Sequence, residues 1–252
     1  MTKVKIMIIS PEKEARQLYR LIKRHSREFG DRFCKNHAIK ITRKVYDAIK
    51  SKKFSEAKPL LIKPIRLIHE QEKDYLKEKA METRKEWREL EPELIEFMKK
   101  TMEIPKIEKS TCKLMIVVRN GMYNPKAREV YLRASNNIKD VCNGIFHEWF
   151  HVNYVLLKRK PFPERNNFNA WLLSEIIMAL VNDEKPIKKI WPEMAGNYNP
   201  ETIPFIKSMK KLWLKRKNFQ NFLETAYPRL EKQSQSNGKK SPAFINFKLD
   251  TA

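Results

Sequence analysis

The pentapeptide His147-Glu148-Trp149-Phe150-His151 carries the residue types and the spacing from which a metal-dependent hydrolytic centre can be built. On an α-helix, residues four apart stand one above the other on the same face, so His147 and His151 offer two imidazoles to one point. Two such nitrogens suit Zn²⁺ at about 2.0–2.1 Å. Glu148 points to the side of that pair, where its carboxylate can act as general base toward a metal-activated water. With only 5 histidines in 252 residues, an accidental match to H-E-x-x-H is a poor explanation.

A catalytic zinc takes three protein ligands and leaves a fourth position open. No histidine follows His151 and all three cysteines precede it, so a downstream third ligand must be a carboxylate. Glu164, Glu175, Asp183, Glu184 and Glu193 are the candidates before the C-terminal region. Glu175 is the strongest, because it stands alone in the apolar helical run 170–181, where a carboxylate without a partner is costly. A bound cation would explain it; a solvent-facing position or a lysine or arginine partner would be the plainer reading.

The segment that must hold the histidines spans 136–158. Ser135, Asn136 and Asn137 offer N-caps, and Asp140 suits the helix dipole in the first turn. Ile138, Val141, Cys142, Ile145, Trp149, Val152 and Leu156 recur at the spacing of a buried face. The histidines project from a different edge, flanked by Asp140, Gly144 and Tyr154. Phe146 and Phe150 make the rest of the surface largely apolar, which predicts a central helix. Gly144 costs about 1 kcal/mol relative to alanine, and either leaves room beside His147 or serves packing.

These residues resemble the gluzincin branch of the zincin metallopeptidases, over about a quarter of the chain. The resemblance implies an α+β, mostly helical fold: a zincin-like core with a small mixed sheet, an HExxH active-site helix, and additional N- and C-terminal helices. It implies one Zn²⁺ held by His147, His151 and Glu175, Glu148 as general base, and a polypeptide substrate laid along a strand. Two strands, 114–118 and 130–134, are expected to flank the turn-rich loop 119–127 as a hairpin leading into the helix. The chain departs from the family pattern in two places. Ala179 stands where an aspartate one turn after the glutamate would orient a histidine, and no downstream histidine can stabilise an oxyanion; Tyr154, Tyr198 and Tyr227 are the alternatives. A more distant comparison is with SprT-like enzymes, whose third ligand is a histidine, and with the ImmA/IrrE regulator-cleaving peptidases.

Around this core, residues 4–9 read as a strand and the stretch from Pro11 as a helix with Ala15, Leu18, Tyr19 and Ile22 on one face. Further helices are expected over 33–49 and 65–102, with Pro59 and Pro64 bracketing a connector and Pro92 breaking the second helix. Residues 182–200 form a turn-rich lip, 201–227 one helix, and 233–240 a mobile tail. The expected division is 1–105 as N-terminal strand and charged helices, 106–231 as catalytic core with the C-terminal helix, and 232–252 as flexible tail. His25, Cys34 and His37 are a weak second cluster lacking a fourth ligand, and His69 reads as a surface or packing residue on its charged helix. There is no apolar run of membrane-spanning length, no signal-peptide core in the first residues, and no even set of cysteines, so the expectation is a cytoplasmic protein.

Net charge is the second signal. Of the formal +23, residues 1–60 carry +11, while 106–160 and 200–252 carry +7 each. Such a field draws nucleic acid or acidic proteins. Two readings therefore stand: a zinc metallopeptidase, and a basic nucleic-acid-associated or regulatory binding protein with a structural or inactive zinc site. The lysine-rich composition, with 5 glycines, also resembles thermophile usage, for which the charge would be general solubility.

Overall fold

The computed structural model describes residues 2–24, 41–118, 121–157, 168–194, 196 and 202–236. His25, Cys34, His37, Tyr198 and the tail beyond 236 lie outside them. The described chain is α+β, mostly helical with one small mixed sheet. It forms two compact units: Met1–Pro92 with Glu108–Val152, and Glu93–Ile107 with Asn153–Ala252.

The first unit contains the sheet. Strand β1 (Val4–Ile8) lies parallel to β2 (Ser110–Met115), β2 lies parallel to β4 (Glu129–Arg133), and the short β3 (Met122–Asn124) pairs antiparallel with β4 at the edge. The expected 114–118/130–134 hairpin is thus corrected. Cys112 faces Val130 in a parallel ladder, and the true hairpin partner of β4 is β3. The thirteen residues 116–128 are long enough for the crossover a parallel pair requires.

Helix α1 (Pro11–Arg24) follows β1 and buries Ala15, Leu18 and Ile22 completely. It packs against α3 (Phe54–Gln71) and α2 (Arg43–Ser51), the latter capped by the Thr42 hydroxyl accepting from the Val45 amide. Of the helix expected over 33–49, the structure thus shows the part from Arg43 on. Pro59 and Pro64 do not bracket an extended connector; both lie inside α3. A proline in a helix interior costs about 3 kcal/mol. Here the stripe Ala57, Leu61 and Ile65, fully buried against the core, compensates for it. Pro92 likewise fails to break α4 (Lys73–Met102), whose Trp87, Leu94, Met98 and Met102 are buried. The interruption falls instead at Glu72, between α3 and α4.

Two buried carboxylates tie this unit together. Glu91 of α4 accepts from the Lys3 and Val4 amides at 2.9 and 2.7 Å. Glu14 of α1 accepts from the amides of Ile116, Val117 and Val118 at 3.0, 2.6 and 3.2 Å through one oxygen, while its other oxygen meets His69 Nε2 at 2.6 Å. Of the two expectations for His69, surface or packing, the structure shows the second: it packs as the polar partner of Glu14.

The second unit is helical: α6 (Phe168–Asn182), α7 (Lys185–Ile190), α8 (Ile203–Lys215) and α9 (Phe219–Ser236). Helix α6 packs against α8 and α9 with Leu172, Leu173, Ile176 and Ile177 buried. The stretch 182–200 is less irregular than expected, since it includes α7 and the 3-10 turn Pro192–Met194. The single helix expected over 201–227 is two helices. Asn218 restarts the chain by capping α9, its side-chain oxygen accepting from the Asn221 amide at 2.7 Å. Trp213 stands at the break, with Arg216 over its ring at 3.8 Å and Phe222 edge-on at 5.0 Å.

Candidate metal centre

Helix α5 (Ile138–Leu156) carries the pentapeptide. Its start is fixed as the sequence suggests, with Asn137 accepting from the Asp140 amide at 3.4 Å and Ser135 from the Asn137 amide at 3.2 Å. Val141, Cys142, Ile145, Trp149 and Val152 of the expected face are buried, as are Phe146 and Phe150, while Ile138 and Leu156 at its ends are half-buried. Trp149 anchors the helix at the level of the histidines: its ring meets Trp87 edge-on at 5.8 Å and its indole N–H donates to the Glu108 carbonyl at 3.0 Å. Gly144 resolves as a packing glycine. A Cβ there would stand 3.0 Å from Leu132 Cδ2, so the glycine lets β4 approach the helix closely.

On this rigid support the Nε2 atoms of His147 and His151 converge to 3.0 Å. Such a pair either shares one proton in an N–H···N hydrogen bond or directs two lone pairs at a common cation. His151 is 1% exposed, while His147 and Glu148 are half-buried. Glu175 lies on α6, half-buried between runs of buried aliphatic side chains. His147 and His151 thus belong to the first unit and Glu175 to the second.

Two residues not singled out from sequence complete the surroundings in the first unit. The Tyr123 ring stacks on His151, centroids 5.1 Å apart and planes 21° from parallel. This contact fixes the imidazole plane and supplies support that no aspartate at position 179 gives. The Gly121 backbone runs against Glu148, with its ideal Cβ position 2.5 Å from Oε1. Loop composition marks Gly121 as a turn residue, but nothing in the local pattern links either residue to the helix. Of the tyrosines considered for an oxyanion role, Tyr154 packs its ring edge-on against Phe219 at 6.3 Å, and Tyr227 is buried on α9.

The described cysteines belong elsewhere. Cys112 and Cys142 are buried free thiols, and burial pushes both upward, Cys142 to about 12 with help from the Glu86 charge. Burial thus disfavours the thiolate form of both. No helix among the described residues is long and apolar enough to cross a membrane. Comparison with family models, curated proteins and solved structures returned no significant match.

Proposed function

We propose that the chain is a zinc-dependent metallopeptidase with a zincin-like core of gluzincin type, in which His147, His151 and Glu175 hold one Zn²⁺ and Glu148 is the general base. The observation that carries the reading is the 3.0 Å approach of the two histidine nitrogens beside Glu148 on one buried helix. The donor set fits the ion. Two imidazoles on a tetrahedral zinc stand about 3.3 Å apart, given bonds of about 2.0–2.1 Å, so the pair needs only a small opening. Two neutral nitrogens and one carboxylate leave a complex of net charge near +1 and a vacant fourth position.

Zinc supplies Lewis-acid chemistry when bound, polarising a carbonyl and making water acidic enough to attack near neutral pH. The protein's residues do the rest. Glu148, held beside the histidines, accepts the proton of the attacking water and returns it to the leaving amine. Tyr123 keeps the His151 ring in plane. Strand β3 lies at the sheet edge, where its outer backbone groups can pair with an extended polypeptide by strand addition.

The direct test is Glu148→Gln, assayed against a denatured protein substrate and for bound metal. The expected result is loss of peptide hydrolysis with zinc retained. Undiminished turnover would overturn the assignment of Glu148.

A further inference from the structure

One corner of the first unit gathers cations around an aromatic pair. On α3 and α4 several cations pair with carboxylates: Arg66 with Glu12, Lys77 with Asp74, Lys79 with Glu82 and Lys99 with Glu96. Where α1 meets the α2–α3 junction, cations lie against aromatic rings and a carbonyl. Arg16 stacks on Phe54 at 4.8 Å, and Lys23 sits over Tyr19 at 5.6 Å while donating to the Lys50 carbonyl at 2.5 Å. Tyr19 and Phe54 meet edge-on at 5.2 Å, and the Tyr19 hydroxyl donates to the Lys52 carbonyl at 2.9 Å. Lys52 and Lys53 are exposed at the junction itself. These contacts hold the cations in place through π-faces and carbonyls, none of which cancels a full charge. None of the side chains of Arg16, Lys23, Lys52 and Lys53 pairs with a carboxylate among the described residues.

We propose that this corner, formed by Arg16, Tyr19, Lys23, Lys52, Lys53 and Phe54, is a binding surface for the phosphate backbone of single-stranded nucleic acid. Four cations without a carboxylate partner among the described residues match a ligand with regularly repeated negative charge. The guanidinium of Arg16, laid flat on Phe54, keeps its edge N–H groups for a phosphate. The half-buried Tyr19–Phe54 pair between the cations gives an unpaired base an aromatic surface, which an acidic protein would not use. The site is independent of the metal reading, since it uses neither α5 nor α6.

The test is fluorescence anisotropy with a labelled single-stranded DNA about 20 nucleotides long, over a salt series, using the full chain. Three proteins are compared: wild type, Lys52→Glu/Lys53→Glu, and the control Lys77→Glu/Lys99→Glu, which changes net charge equally on α4. A second patch variant, Arg16→Gln/Lys23→Gln, removes charge without reversing it, and circular dichroism confirms that each variant is folded. The patch variants should weaken binding at least tenfold more than the control and make the salt dependence shallower by about one to two ions. Equal weakening by patch and control variants, absence of wild-type binding at low salt, or equal affinity for poly-glutamate would each overturn the proposal.

Discussion

Gly121 and Glu148 are in contact across the first unit so closely that a methyl group at position 121 would stand 2.5 Å from Glu148 Oε1. The glycine is far from the pentapeptide in sequence, yet it sets the space available to the carboxylate proposed as general base. Gly121→Ala should push the flexible Glu148 side chain aside without breaking the core. Hydrolysis is expected to fall on the order of 10- to 100-fold, with zinc content and unfolding midpoint little changed. Steady-state kinetics alongside metal analysis will check this; unchanged activity would show that the carboxylate has room to spare.

Glu14 holds three consecutive amides and His69 in a fully buried position. Removing it leaves those donors unsatisfied, each at a cost of about 1–3 kcal/mol. Glu14→Ala should therefore destabilise the chain by several kcal/mol, on the order of 3–5, read from urea unfolding. Glu14→Gln, which keeps one acceptor oxygen, should lose less.

Pro59 is exposed in the middle of α3 and denies the helix one backbone hydrogen bond. Pro59→Ala should stabilise the protein by about 1–3 kcal/mol, raising the thermal midpoint. A drop in stability would mean that the ring has a packing role its exposure does not suggest.

Glu129 of β4 is opposed by burial yet held below the usual carboxylate range by the Lys113 ammonium and the Tyr131 hydroxyl, both of which donate to it. A folded-state value depressed below 4.5 contributes stability that is complete above that pH and lost as pH falls through the depressed value. Wild type should exceed Glu129→Gln by about 1–3 kcal/mol near pH 6, and the gap should narrow toward pH 3. Urea unfolding across that range measures it; a gap independent of pH would assign the difference to packing.

The elements that local pattern determines were legible in the sequence. The periodicity of α1, the β-branched run of β1, and the caps of α5 each express a backbone preference within a few residues. Glu175 stands out in the sequence for a different reason: a single carboxylate in an apolar helix is costly without a partner. What local pattern hides is decided by distant packing. Pro59, Pro64 and Pro92 read as breaks because their cost is local, whereas the buried stripes that outweigh it are tertiary. The parallel pairing of β2 with β4 depends on where a crossover runs, which hydrophobic alternation does not encode. Glu14 and His69 look like ordinary members of charged helices until α1 and α3 bring them together. Tyr123 and Gly121 reach α5 only through the fold of the sheet edge.

The central claim is most directly tested by elemental analysis of zinc per chain in wild type, His147→Ala and Glu175→Gln, each purified and reconstituted with Zn²⁺ followed by desalting. The expected result is close to one zinc in wild type, none in His147→Ala and weakened retention in Glu175→Gln. Absence of zinc from reconstituted wild type, or equal zinc in all three proteins, would contradict the account.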